Sequence, residues 1–329
     1  MKRVSLNLGD IIDPEMSSRT RAKKKKPQSL ILSLPEDVIV DILARVSRFD
    51  YPILSLVSKH FRSLVASPEI YARRSLLGCT EHCLYALAYD RDNDVYRWYI
   101  LRRKANGNSR FVLIPSLPAM PSIGSIVAVG SMIYVFGGIN KYNLSTSALT
   151  IDCRSHTAQP LTSIPEPMFH TIADIMDRKI YVTGYSYFDD FVWKKVMVVF
   201  NTETQKWEEP GVVKANIELG NIHHYCCVVM SGKLYTRDDD NSYVYDPMEN
   251  KWETDEMLHS KKWNNAHVVD GVLYYFDRVE NIIRTYDPKQ RCWGVVKGVE
   301  KLLYKTRYKG WSKSTQMVHL IQMKAIYEQ

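Results

Sequence analysis

The sequence predicts a small all-α module followed by a large all-β propeller, and three observations carry that reading. Residues 30–78 hold apolar runs at helical spacing. From Cys79 onward the helical period gives way to short strand-like runs separated by two-residue turns. Those runs then recur with an aromatic marker at a period of about one four-stranded sheet.

The helical module starts near Leu34. From Leu34 to Val46 the apolar positions are Leu34, Val38, Ile39, Val40, Ile42, Leu43 and Val46. At 100° per residue they spread well beyond the roughly 100° stripe that one core face requires. Glu36 and Asp37 in the first turn and Arg45 in the last suit the helix dipole. Ser33-Leu34-Pro35-Glu36 has capping-box spacing and predicts the start. A second apolar run (Ile53, Leu54, Leu56, Val57) precedes Phe61, Leu64 and Val65, and Ser67-Pro68 stops that helix. So small a module buries little surface by itself, so the surplus apolar face predicts a partner.

The segments LPEDVIVDILARV and LSLVSKHFRSLVASPEIYARRSLLG resemble an F-box of the plant type over Leu30 to Gly78. The resemblance implies docking on the Skp-type adaptor of a cullin–RING ubiquitin ligase. It implies that Leu34, Pro35, Val38, Ile42, Leu43, Val57 and Phe61 face the adaptor or support the face that does. An ordinary helical cap packing only on its own chain is the competing reading.

Beyond Cys79 four hairpins share one design. They are Ile126–Val129 with Met132–Gly138, Thr171–Met176 with Lys179–Gly184, Cys226–Met230 with Lys233–Thr236, and Ala266–Val269 with Val272–Phe276. Their turns are Gly130-Ser131, Asp177-Arg178, Ser231-Gly232 and Asp270-Gly271. Asp-Gly is a strong hairpin signal, because both positions tolerate positive φ, and Asp-Arg is the weakest of the four. Each hairpin is followed by a second strand pair. Phe200-Asn201 precedes Trp207, Tyr245-Asp246 precedes Trp252, and Tyr286-Asp287 precedes Trp293, with seven residues from aromatic to tryptophan each time. Ile151 to Ala158 keeps the spacing without the tryptophan. Four-stranded units at this period read as propeller blades, which assigns most of the aromatic residues to packing between blades.

Gly137-Gly138 after Tyr134-Val135-Phe136, with the Tyr-Asp…Trp marker, resembles the kelch repeat. Cys83–Tyr89, Arg97–Leu101 and Arg110–Pro115 read as a degenerate blade ahead of the four, giving about five. The expected organisation is a disordered basic leader (1–29), an F-box (30–78), a kelch-like β-propeller (79–300) and a divergent tail (301–329). After Gly298 the family pattern fades, so the closing strands are expected to be missing or altered and the tail loosely packed.

The chemistry of an enzyme is not legible here. His223-His224 beside Cys226-Cys227 is the one dense cluster of metal-ligand type, but neighbours on a strand point to opposite faces, so no metal site and no cofactor are expected. Asp238-Asp239-Asp240 reads as a solvated acidic turn, and neither a phosphate-binding glycine loop nor a Gly-x-Ser-x-Gly elbow occurs. The segment Tyr185–Trp193 is long for a blade connection and aromatic, which marks Tyr187, Phe188 and Trp193 as candidate partner contacts. In the competing reading it extends the strands, with Phe191 and Trp193 packed between blades.

Six of the net eight positive charges fall in Arg19–Lys26, which leaves +2 for the rest of the chain. A charge held in an arm fits a nuclear-import signal or a solvated leader, and no specific nucleic-acid partner is expected. No apolar run approaches a membrane span, no signal-peptide core follows Met1, and six scattered cysteines read as reduced thiols, so a nuclear or cytoplasmic location is expected. The whole resembles the plant F-box/kelch-repeat family. That implies a non-catalytic substrate receptor of an SCF-type ligase, with an adaptor, a cullin–RING assembly and a protein substrate as partners. A kelch scaffold without ubiquitination, and a propeller enzyme with a cofactor in its central pocket, are the alternatives. Deleting Arg19–Lys26 is expected to leave adaptor capture intact. The same deletion in a fluorescent fusion distinguishes an import signal (a shift from nucleus to cytoplasm) from a solvated leader (no shift).

Overall fold

The computed structural model describes residues 34–303, except 82, 104–107, 121–123, 138–144, 188–192, 210–212, 219–225, 240 and 302, together with 318–322. Helices α1 (Glu36–Arg45), α2 (Tyr51–Leu54), α3 (Lys59–Ala66) and α4 (Pro68–Leu76) form the first module, with a 3₁₀ turn at Arg48–Asp50. The helix begins later than the capping-box spacing implies, and Ser33 lies outside the described residues. Pro35 occupies the N-cap without a side-chain cap bond, and its restricted φ of −53° sets the chain direction instead. Ser58 and Ser67 do cap, accepting from Phe61 N at 3.0 Å and Ile70 N at 3.4 Å. Ile39, Val40, Leu43, Tyr51, Phe61, Leu64, Val65 and Ile70 form the core of the module. Arg74 is buried beneath it. Its guanidinium donates to the carbonyls of Ala44 (2.8 Å) and Cys79 (2.6 Å) and to the Tyr51 hydroxyl (3.2 Å), satisfying the exposed carbonyl end of α1.

The rest is five antiparallel sheets. The first contains β1 (Leu84–Asp90), β2 (Val95–Arg103) and β3 (Ser109–Leu113), and the second β4 (Ser125–Val129), β5 (Met132–Phe136), β6 (Ala148–Asp152) and β7 (Thr157–Pro160). The third has β8 (Phe169–Met176), β9 (Lys179–Tyr187), β10 (Trp193–Asn201) and β11 (Lys206–Trp207), with β12 (Val213–Glu218) beside β10. The fourth has β13 (Cys226–Met230), β14 (Lys233–Arg237), β15 (Ser242–Asp246) and β16 (Lys251–Thr254). After a short helix α5 (Glu256–His259), β17 (His267–Val269), β18 (Val272–Asp277), β19 (Ile282–Asp287) and β20 (Cys292–Val295) form the fifth.

All four expected hairpins are present. Even Asp177-Arg178 adopts the mirror-image turn, at φ 50° and 62°. Arg178 is held there by an ion pair with Glu203 and by its carbonyl, which accepts from Thr202 N at 3.0 Å. The seven-residue marker is strand register. Phe200 faces Trp207, Tyr245 faces Trp252 and Tyr286 faces Trp293 across their strand pairs, with ring centroids 5.1, 5.1 and 5.0 Å apart. Apolar seams join blades one to two, two to three, three to four and four to five.

The expectation of missing closing strands is corrected. Strand β21 (Val318–Gln322) pairs antiparallel with β1, placing Leu84 opposite Gln322 and Ala88 opposite Val318. It thereby becomes the fourth strand of the first blade, beside β4, and the count stays at five. Residues 304–317 and 323–329 of the expected loose tail lie outside the described residues. Among the described residues no buried apolar cluster joins blades five and one, and Val269, Phe276 and Val295 of blade five remain exposed. The circle is closed by the backbone pairing of β21 with β1. Deleting residues 318–329 opens the β1 edge and is expected to lower the thermal midpoint by roughly 4–8 °C, the equivalent of about 2 kcal/mol in a domain of this size. Differential scanning calorimetry checks this, and an unchanged midpoint would show that β21 contributes nothing.

Candidate functional site

The two modules are joined through a basic, aromatic junction. The Arg48 guanidinium reaches the propeller, donating from Nη2 to the Cys153 carbonyl and from Nη1 to the Cys83 thiol at 3.5 Å. The Arg48 backbone N–H donates to Glu81 Oε2 at 3.2 Å, and the other Glu81 oxygen lies 3.3 Å from Arg74. The Tyr71 hydroxyl donates to the Arg154 carbonyl at 3.3 Å, and Arg102 Nη2 donates to the Phe49 carbonyl at 3.0 Å. Arg48 and Arg154 lie over the Tyr71 ring at 5.8 and 5.9 Å. Behind them His156 Nε2 and the Tyr85 hydroxyl share a hydrogen bond of 2.9 Å, and that hydroxyl donates to the Cys153 carbonyl at 3.2 Å.

On the helical module the residues expected to meet an adaptor divide. Val38 and Ile42 on α1, with Leu34 just ahead of the helix, are exposed at four-residue spacing, Ile42 at 42%, and Pro35 and Val57 are exposed as well. Ile53 and Leu56, which the sequence reading had not assigned, are also exposed. Leu43 and Phe61 are buried in the core of the module, so they support the face without lining it. An apolar surface wider than one core stripe gives no sign of which part of it α4 covers, and packing decides it.

Successive strands run antiparallel, so alternate turns emerge at opposite ends of the propeller. Turns 130–131 and 153–156 lie at the junction end, while the connections leaving β9 at Tyr187 and β14 at Arg237 lie at the far end. There Tyr187 and Trp193 form a cross-strand pair with rings 5.3 Å apart, and Trp193 stacks at 5.7 Å on Phe169 of β8. Both of these ring contacts lie within blade three. Tyr187 is 43% exposed. Phe188 and Phe191 lie outside the described residues.

This rim stands on a buried polar clamp between blades three and four. Lys195 Nζ donates to Thr236 Oγ1 at 2.7 Å and lies 4.7 Å from the Tyr243 ring centroid and 5.4 Å from that of Trp252. Burial pushes its ammonium down to about 8, against the pull of Asp238. The Tyr185 hydroxyl donates to Asp238 at 2.9 Å, which fixes β9 two residues before Tyr187. The sequence reading missed this lysine, because its partners come from a different blade.

Of the dense His-Cys cluster, His223 and His224 lie outside the described residues, while Cys226 and Cys227 enter opposite seams. Among the described residues no group of three or more His, Cys, Asp and Glu side chains is placed to hold a metal ion, and no helix is long and apolar enough to cross a membrane.

Residues 31–73 match the family model of the F-box domain, and residues 98–325 match that of the FKB95 kelch-repeats domain. The second match runs past Gly298 and includes β21, which corrects the expectation that the resemblance fades there. An F-box/kelch-repeat protein of Arabidopsis thaliana is 47% identical over 300 residues, covering 86% of this chain and 80% of the relative. A putative F-box/kelch-repeat protein of the same plant is 40% identical over 299 residues, covering 85% and 78%. The chain belongs to the plant F-box/kelch-repeat family.

The junction carries a pH signature. Burial, reinforced by the Arg48 charge, holds the His156 imidazole down to about 4. Below its ordinary value of 6.5 the unfolded chain takes up a proton that the folded chain refuses, so this part of the stability is lost as pH falls from about 6.5 to 4. Thermal midpoints measured across that window are expected to fall more steeply in the wild type than in His156→Gln, and parallel curves would remove His156 from the account.

Proposed function

We propose that this chain is the substrate-receptor subunit of an SCF-type cullin–RING ubiquitin ligase. The observation that carries the reading is the exposed apolar stripe of Leu34, just before α1, and Val38 and Ile42 on it, with the other side of that helix already packed. Those side chains, with Pro35 and Val57, contact the Skp-type adaptor, and Leu43 and Phe61 hold the helix that presents them. The far rim around Tyr187 and Trp193 receives the protein substrate.

The chain then works without an acid, base or nucleophile of its own. Its contribution is to raise the effective concentration of a substrate lysine near the charged conjugating enzyme, which requires both ends to be held at a fixed separation. The Arg48 junction supplies that stiffness, and the Lys195 clamp supplies it at the rim.

Val38→Glu and Ile42→Glu place a charge in the adaptor interface, and each is expected to weaken adaptor binding by roughly 30-fold or more, the scale of a central interface residue. Both positions are exposed, so the thermal midpoint should stay where it is. Tyr187→Ala should retain the adaptor yet reduce capture and ubiquitination of substrate. Surface plasmon resonance with purified adaptor, followed by reconstituted ubiquitination, reads both arms. Undiminished adaptor binding by the glutamate variants would overturn the proposal.

A further inference from the structure

Between the helical module and the first two blades lies a cleft of about 670 Å³, apart from both the exposed α1 stripe and the far rim. That volume falls within the roughly 300–1,000 Å³ typical of small-molecule sites. Pro52 and Tyr71 line one wall, and Val112 and Leu113 line another. Four arginines, Arg48, Arg62, Arg102 and Arg154, belong to its lining, together with Asp152.

Asp152 serves two of the four, pairing with Arg154 and attracting the Arg48 charge. Arg154 makes a two-pronged contact with Asp152, at 3.0 Å from Nε and 2.8 Å from Nη2. Arg48 bonds the Cys153 carbonyl and the Cys83 thiol, Arg62 Nε bonds the Ser55 carbonyl at 3.1 Å, and Arg102 bonds the Phe49 carbonyl at 3.0 Å. All of these partners are uncharged. Among the described residues none of these three guanidiniums forms an ion pair. His156 also lines the cleft and, held down to about 4, is neutral near pH 7. Arg62, which is exposed, and Arg102 are thus two cationic residues of the cleft lining whose hydrogen-bond partners are neutral carbonyls, while Asp152, also in the lining, acts on both Arg154 and Arg48.

We infer that this cleft binds a small amphipathic organic anion, its phosphate or carboxylate facing Arg62 and Arg102 and its apolar body against Pro52, Val112 and Leu113. Guanidinium forks match either group in two-pronged fashion. Because the walls come from both modules, a bound anion stabilises their docked arrangement by mass action.

Isothermal titration calorimetry of the full chain with naphthyl phosphate, naphthoate and neutral naphthalenemethanol tests this. Saturable binding of the two anions at one site per chain, with none of the alcohol, is expected; the tighter of the two anions identifies the group the arginines read. The double variant Arg62→Gln/Arg102→Gln, which keeps a donor at each position, should weaken anion binding by roughly tenfold or more. Leu113→Glu should do the same by repulsion; at 41% exposure it is tolerated by the fold and guards against a folding defect in the first variant. Replacing Lys23 to Lys26 by glutamine should change nothing. Equal binding of the alcohol, undiminished anion binding in both cleft variants, or loss of binding on neutralising the leader would each overturn the inference.

Discussion

The relation between the two halves of this molecule depends on one half-buried positive charge. Arg48 leaves the helical module in a three-residue turn, and its guanidinium ends on a carbonyl and a thiol of the propeller. A charge in that position is costly to desolvate, and removing its acceptors would leave it without compensation. The interaction therefore favours one docked arrangement over looser ones. Tyr71, Arg102 and Glu81 then add directional bonds on either side of it. On the proposed reading, in which the chain holds two partners at a fixed separation, such a junction serves better than a large apolar interface.

Within the propeller the organising constraint is cross-strand register. Aromatic and tryptophan residues seven apart meet because a short turn brings those two positions opposite each other. The paired rings then cover the seam toward the neighbouring blade, as Phe136, Phe200 and Trp207 do together. Trp207 Nε1 donates to the Thr162 carbonyl at 3.2 Å and Trp293 Nε1 to the Met257 carbonyl at 2.8 Å, so the marker also pins the crossover between blades. At the circle's end β21 closes it through backbone bonds to β1.

What the sequence made legible follows from the range of the interactions. The hairpins, their turns and the aromatic pairs are local, so spacing alone placed them, down to the mirror-image turn at Asp177-Arg178. The exposed stripe Leu34, Val38 and Ile42 was legible as surplus apolar surface, but Leu43 was not separable from Ile42, since only packing against α4 distinguishes them. Arg48, Arg74 and Lys195 were missed because their partners lie in other helices or other blades and leave no spacing to read. Strand β21 was missed for a related reason. As the inner strand of a blade begun far earlier in the chain, it needs neither a glycine turn nor a tryptophan of its own.

The central claim is that the two ends of the chain meet different partners. Hydrogen exchange on the full chain, alone and with a purified Skp-type adaptor, tests it most directly. The account predicts slowed exchange across residues 36–57 on adding adaptor, with residues 181–187 and 193–199 unchanged. Slowed exchange at the far rim, with the helical module unaffected, would contradict it.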